Sequence, residues 1–223
     1  MQQIPVLIIA ALCWATQAQG QVPPSASELA GYGGLHAAAH KGDMAEINRL
    51  ISSGADLKHA DGRGRTALHV AAFASHDEVV TALAQAGADP NRLENDKYDI
   101  ITIAAVANDA DMVRTAVKAG GNAKNITSIY DGTALIAAAH LGNWESVQVL
   151  IEAGAPLDHV NNLGWTALIE AVVLGDGGLR HVKTATLLIA AGADRSLTDR
   201  NGKTALELAR ERGYKEMIRA LTP

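Results

Sequence analysis

Aromatic residues and cysteine are scarce in this chain. Phe, Trp and Tyr make up 4% of the 223 residues, with a single Phe, and Cys13 is the one cysteine. One thiol cannot form an intramolecular disulfide, so a fold held together by disulfides is excluded. With so few large rings, the core must come from aliphatic and small side chains, which favours closely packed helices.

An excess of positive charge is also lacking. The formal net charge is −5, the isoelectric point is about 5.9, and Lys and Arg form no stripe along the chain. A protein that holds nucleic acid needs basic side chains to neutralise the phosphates. Nucleic acid is therefore not expected as a partner.

The apolar run at the N-terminus is too short for a membrane-spanning helix. It extends from Ile4 to Ala15, whereas a spanning helix needs about 20 apolar residues. Small and polar residues follow the run, as they do at a signal-peptidase site. We therefore expect residues 1–20 to be a cleaved export signal and residues 21–30 to be a Pro-containing leader.

The signal has two features that leave alternatives open. Cleavage after Ala18 and cleavage after Gly20 both satisfy the preference for small residues. No Lys or Arg precedes the apolar run, which is unusual for a signal, so an uncleaved membrane anchor is the alternative. If the signal is removed, Cys13 leaves with it. The sequence thus predicts a periplasmic or secreted protein that is not inserted in a membrane after cleavage.

A repeated pattern fills the rest of the chain. One copy, TALHVAAFASHDEVVTALAQAGAD, extends from Thr66 to Asp89, and its Leu recurs after 33, 33, 34, 33 and 38 residues. The aligned positions are Leu35, Leu68, Ile101, Leu135, Leu168 and Leu206. A period in this range indicates a solenoid in which each repeat packs against its neighbours.

The motif TALH at residues 66–69 and three copies of GAD resemble the ankyrin-repeat family over about Gly31 to Leu221. The resemblance implies an all-α solenoid of about six repeats, each with two helices and a β-hairpin, in one domain at residues 31–223. The first and last repeats are expected to be capping repeats. Within this family, the sequence of the fifth repeat resembles that of exported, periplasmic bacterial ankyrin-repeat proteins.

Each repeat carries the same local signals. A pair of small residues in the first helix, such as Ala71-Ala72, lets neighbouring helices approach closely, and a Gly after the second helix, such as Gly87, suits a left-handed C-terminal position. The third repeat differs. Asp99 replaces the capping Thr, and Ala116 stands where the second repeat has Leu83. We expect a thinner core there.

Two groups of ionisable residues could carry chemistry. His36 and His69 stand at the TxLH position, and the resemblance implies that they tie adjacent repeats by hydrogen bonds. Glu170, Asp176 and His181 surround an insertion in the fifth repeat and form the candidate acid–base or metal-ligand set, with Glu170 interpreted as standing at the repeat's His position. The favoured alternative is that all three hold the loop, so we expect no catalysis, no metal and no cofactor.

The resemblance implies that partners contact the hairpin tips and the two residues after each small pair, which face the concave groove. The groove residues predicted to bind a partner are Phe73, Val106, His140, Leu141, Val173 and Leu174. The hairpin residues predicted to bind it are Arg63, Arg65, Tyr98, Tyr130 and Trp165.

An exposed apolar strip of this kind indicates a binding surface. We therefore expect a monomeric module that binds another protein to modulate, protect or inhibit it. Three alternatives remain open: the leader or a longer loop covers the strip, Trp165 only covers a neighbouring hairpin, or the chain is a secreted effector directed at a host.

Overall fold

The computed structural model describes residues 21–222, so the predicted signal peptide and Cys13 lie outside the described residues. Within residues 21–222 the chain forms thirteen α-helices and no strands. In chain order they are α1 (Ala26–Gly31), α2 (Gly34–Lys41), α3 (Met44–Ser52), α4 (Ala67–Phe73), α5 (Asp77–Gln85), α6 (Ile100–Val106), α7 (Ala110–Lys118), α8 (Ala134–His140), α9 (Trp144–Glu152), α10 (Ala167–Val173), α11 (Leu179–Ala190), α12 (Ala205–Arg212) and α13 (Lys215–Leu221). None of the described helices has the length and apolarity needed to cross a bilayer.

The helices from α2 onward form six consecutive pairs, one for each predicted repeat. The first helix of each pair packs against the first helix of the next pair, and the second helices do the same. One continuous hydrophobic core runs through the stack. The small pairs that allow this close approach are all buried: Ala38-Ala39, Ala71-Ala72, Ala104-Ala105, Ala138-Ala139 and Ala171-Val172. The predicted all-α ankyrin solenoid is confirmed.

The helix ends follow the predicted signals. Thr133, Thr166 and Thr204 each accept a hydrogen bond from the backbone N–H three residues later, at 3.2 to 3.3 Å. The glycines after the second helices have the left-handed φ that a side chain would oppose, from +77° at Gly54 to +102° at Gly87. The hairpins are reduced to turns, and those that pair at all in the described chain form single bridges.

The third repeat is better supported than the sequence indicates. Asp99 caps α6 by accepting from the Thr102 backbone N–H at 2.8 Å, and Asn125 donates to its second oxygen at 3.1 Å. Ala116 leaves a small volume on α7, but Met112 stands one turn earlier on the same face and is fully buried. A large buried residue therefore accompanies the small one, and the thinner core stays a prediction.

The insertion in the fifth repeat is only partly a loop. Residues 179–181 belong to α11, which has 12 residues where α9 has 9. His181 of this added turn contacts the carbonyl oxygen of His140 through Nε2 at 3.0 Å. In the second repeat His76 makes the same contact with the carbonyl of His40, also at 3.0 Å. The insertion thus restores a link between neighbouring repeats that the rest of the fold already uses.

Arg65, predicted as a partner-binding hairpin residue, is completely buried, so that prediction is wrong. Its guanidinium donates to Asp61 at 2.7 Å, to Glu28 of α1 at 2.5 Å and to the carbonyl oxygen of Val22 at 3.2 Å. Asp61 also accepts from the Tyr32 hydroxyl at 2.6 Å. A buried guanidinium needs acceptors on every side. The leader, which includes most of α1, folds over the hairpin of residues 60–66 and supplies two of them.

This network alters the titration of its members. Hydrogen bonds from the Ser25 hydroxyl and backbone, aided by Arg65, lower the pKa of Glu28 to about 2. Burial by itself would raise the pKa of Asp61, but hydrogen bonds from Tyr32 and Arg65 outweigh it and the pKa is lowered. Both carboxylates therefore stay charged beside Arg65 at neutral pH.

Candidate partner-binding groove

An apolar depression lies between the hairpins and the first helices of the third to fifth repeats. We call it the central cleft, and it has a volume of about 90 Å³. It is lined by Gln21, Tyr98, Val106, Ser128, Tyr130, Gly132, Thr133, Ile136, Ala137, His140, Leu141, Asn161, Leu163 and Glu170. Hairpin residues thus form one wall and residues of α6, α8 and α10 form the other.

A second depression continues the cleft toward the inserted loop. We call it the insertion cleft, and it is lined by Val106, Leu141, Asn143, Asp176, Gly178, Leu179, Arg180 and His181. Val106 and Leu141 belong to both depressions and are partly exposed. Leu179, at the start of α11, is 84% exposed. The two clefts therefore share one apolar ridge.

The structure brings five of the predicted partner-binding residues to the central cleft: Tyr98, Val106, Tyr130, His140 and Leu141. Phe73, Val173 and Trp165 are instead half-buried and pack partly against the core. Leu174, next to the insertion, is also half-buried. Of the predicted residues, Val106 and Leu141 present apolar side chains to both clefts.

The two predicted arginines have different surroundings. Arg65 is buried, whereas Arg63 keeps 45% of its side chain exposed and pairs with Glu28 at 3.3 Å between Nε and Oε1. Arg63 lies in a turn that begins at Asp61. The Asp61 carboxylate stabilises this turn by accepting from the Arg63 backbone N–H at 2.9 Å. Of the two, only Arg63 has a side chain that a partner could reach.

Tyr98 was predicted as an exposed aromatic tip, and this is wrong. Its side chain is part of the core and only 8% of the residue is exposed. Burial, with the nearby charges of Asp96 and Glu94, raises the pKa of its hydroxyl to about 12. The residue contributes one wall of the central cleft but offers little surface of its own.

Several residues of the cleft were not predicted, and two of them, Leu163 and Gln21, bear on what the cleft can bind. Leu163 stands at the hairpin position where the second and sixth repeats have Arg63 and Asn201, so an apolar residue at that position was an available signal. Gln21 belongs to the leader, and its side-chain nitrogen is buried without a hydrogen-bond partner among residues 21–222. The leader therefore contributes one residue to the lining of the central cleft.

Glu170 does not stand at the repeat's His position. Glu170 is the second residue after the aligned Leu168, whereas the repeat's His is the first. The second, third and sixth repeats have Val70, Ile103 and Leu208 at the position of Glu170. It is 5% exposed, and its Oε1 accepts from the Asn161 side-chain amide at 2.7 Å. Its Oε2 lies 3.4 Å from Nδ1 of His140.

The proposed acid–base set is not assembled. Glu170 lines the central cleft, whereas Asp176 and His181 line the insertion cleft. Asp176 accepts from the Gly178 backbone N–H at 2.8 Å and lies 3.0 Å from Nδ1 of His181. These contacts, the backbone bond first, lower the pKa of Asp176. The pair holds the loop, and no group of three or more metal-ligating residues occurs in residues 21–222.

His36 and His69 tie adjacent repeats, as the resemblance implied. Nε2 of His36 contacts the carbonyl oxygen of Arg65 at 2.8 Å, and Nε2 of His69 contacts that of Arg92 at 3.0 Å. Nδ1 of His69 accepts from the Thr66 backbone N–H at 3.2 Å. A ring that donates at one nitrogen and accepts at the other is neutral, and burial lowers the pKa of His69 to about 4.

Comparison with known proteins agrees with the repeat pattern. Residues 12–94 and 101–195 match the family described as Ankyrin repeats (3 copies). An ankyrin repeat domain from Acinetobacter baumannii AYE is similar in structure, with a TM-score of 0.79 and 40% identity over 84% of this chain and 95% of that chain. The ankyrin repeat protein YahD of Escherichia coli K12 is 40% identical over 98 residues, which are 44% of this chain and 49% of YahD. This chain thus matches about half the length of that curated relative.

A further solved structure is similar in fold and contains a bound protein. It is the predatory endopeptidase Bd0816 from Bdellovibrio bacteriovorus in complex with the immunity protein Bd3460. The TM-score is 0.71 and the identity is 26%, over 85% of this chain and 97% of the matched chain.

Proposed function

Because this chain belongs to the ankyrin-repeat family, we propose that it is a non-catalytic module that binds another protein along its concave groove, the inner face of the solenoid. The observation that carries this proposal is the ridge of Val106 and Leu141, two partly exposed apolar side chains that line both the central cleft and the insertion cleft. Apolar surface that is continuous between two concavities gives a partner both contact area and shape.

We further propose that the module works outside the cytoplasm. The apolar run and the small residues after it support this, as does the loss of the only thiol with the signal. The expected result is that the intact mass of the protein recovered from an expressing bacterium lacks the first 18 or 20 residues. A full-length chain in the membrane pellet would contradict export with cleavage. Fractionation of periplasm and medium separates a periplasmic module from a secreted effector.

The complex of an endopeptidase with an immunity protein supports a more specific role, which we propose for this chain: inhibition of an exported hydrolase. Binding along an extended inner face can block access to a partner's active site without any chemistry in the module itself. The role is tested by adding the purified module to the captured partner, if that partner is a hydrolase, and measuring its turnover.

The inner face is tested by replacing Leu141 with Asp. A charge on the shared ridge must lose its hydration when a partner covers it, so we expect capture of the partner from an envelope extract to weaken by at least about 30-fold, corresponding to about 2 kcal/mol or more. The captured protein is identified by mass spectrometry, and its affinity is then measured with purified components.

The matched control introduces the same residue into the same repeat but on the second helix. Gln148 is exposed on α9 and lines neither cleft, so Gln148→Asp should capture the partner as the wild type does. Helical circular dichroism must be unchanged in both variants. Equal capture by the two variants would show that the partner binds elsewhere.

A further inference from the structure

Glu170 places a carboxylate at a position that is apolar in other repeats. The second, third and sixth repeats have Val70, Ile103 and Leu208 there, and replacing an apolar residue by a buried carboxylate costs free energy unless the charge is compensated. Within the described chain, Glu170 receives one short hydrogen bond, from Asn161, and the looser contact with His140. Neither Lys nor Arg is among the described residues that line the central cleft.

The rest of the central cleft suits an organic cation. Tyr130 contributes a partly exposed aromatic residue and Tyr98 a largely buried one, and Val106, Leu141 and Leu163 contribute aliphatic surface. Aromatic rings attract ammonium and guanidinium groups, and aliphatic walls accommodate the methylene stem that carries such a group. A cleft with a carboxylate among these walls is therefore complementary to a long basic side chain in both charge and polarity.

The leader already brings one nitrogen donor to this place. Gln21 lines the central cleft, and its side-chain nitrogen is buried with no acceptor in the part of the chain that the structure describes. The leader lies here because Arg65 holds the carbonyl of Val22. An amide donor that finds no acceptor is a weak occupant, so a charged donor could displace it.

We propose that the central cleft receives a Lys or Arg side chain of the partner protein, whose cationic group pairs with Glu170 while its stem lies between the hairpin residues and Leu141. This inference rests on the proposed binding function and names the chemistry of the partner's anchor. A net charge of −5 favours the approach of a basic surface.

The test uses small probes, so it does not need the partner. n-Butylguanidinium, n-butylammonium and the neutral n-butylurea are titrated into the protein as it is recovered from the expressing cell, and amide chemical shifts of Leu141 and Leu163 report occupancy. We expect at least one of the two cations to bind at least about tenfold more tightly than the urea. Equal binding of all three, or no shift with either cation, would overturn the proposal.

Variants assign the charge. Glu170→Gln keeps an acceptor for Asn161, and Glu170→Val restores the residue that the second repeat carries at this position, so at least the latter should fold. Both should lose the preference for the cations over the urea. Glu145→Gln, on α9 and outside the central cleft, should retain it. Cation preference that survives Glu170→Val would contradict the proposal.

The outcome is separable from that of the proposed function. If Leu141→Asp loses the captured partner but the cationic probes do not bind, the inner face binds protein without this anchor. If the probes bind as expected but no partner depends on Leu141, the cleft recognises cations and the protein-binding proposal fails.

Discussion

Replacing Arg65 with Ala is expected to lower the free energy of unfolding by about 3 to 5 kcal/mol, the cost of breaking a buried ion pair from one side. The guanidinium is completely buried and donates to Asp61, Glu28 and the carbonyl of Val22. Its removal leaves Asp61 charged with little access to water, and Glu28 of α1 loses its buried ion-pair partner. Urea denaturation followed by circular dichroism measures the loss.

Arg63→Ala is the matched control for this variant. Arg63 stands two residues earlier and pairs with the same Glu28, but 45% of its side chain is exposed. Exposed ion pairs contribute about 0 to 1 kcal/mol, so this variant should unfold close to the wild-type midpoint. If the two variants were equally destabilised, burial of the Arg65 guanidinium would not be the cause.

His69 is expected to make the fold sensitive to mild acid. In an unfolded chain an imidazole titrates near pH 6.5, whereas burial lowers the pKa of His69 to about 4 in the folded protein. Between these values the unfolded state binds a proton that the folded state does not. The free energy of unfolding should therefore have its full value above pH 6.5 and decrease by about 3 kcal/mol between pH 6.5 and pH 4.

His69→Gln removes this titration while keeping both contacts. A Gln amide can accept from the Thr66 backbone N–H and donate to the Arg92 carbonyl, as the two ring nitrogens of His69 do at 3.2 and 3.0 Å. Free energies of unfolding measured from pH 7 to 4.5 should decrease less in this variant than in wild type or Arg63→Ala. Parallel curves for all three proteins would show that His69 does not cause the loss. The comparison is needed because carboxylates also titrate toward the acid end of the range.

Local signals were enough to predict the repeats because each repeat satisfies its own helix ends and turns. Thr caps, paired small residues and terminal glycines act within a few residues, so the pattern is readable without the fold. The roles of His36 and His69 came instead from the family resemblance, because their carbonyl partners lie 29 and 23 residues away along the chain. Local reading failed where a repeat departs from the pattern, as when Glu170 was assigned to the His position.

The hairpin tips show where local reading ends. Arg63 and Arg65 are two residues apart in one turn, and nothing in the turn distinguishes an exposed arginine from a buried one. Glu28 pairs with both arginines, whereas the Arg65 guanidinium also donates to Asp61 and to the carbonyl oxygen of Val22, 43 residues away along the chain. Tyr98 is buried for a similar reason, because the core of the neighbouring repeats receives its ring.

The amino-acid sequence by itself determined the fold class, the number of repeats and the apolar character of the inner face, because these follow from periodicity and short-range capping. The tertiary structure alone decided that Arg65 is buried, that the leader reaches the central cleft, and that Glu170 and His181 line separate depressions. Each of these outcomes depends on how side chains from different repeats share space and hydrogen-bond partners. The distances between such side chains are set by how the repeats stack and not by their spacing along the chain.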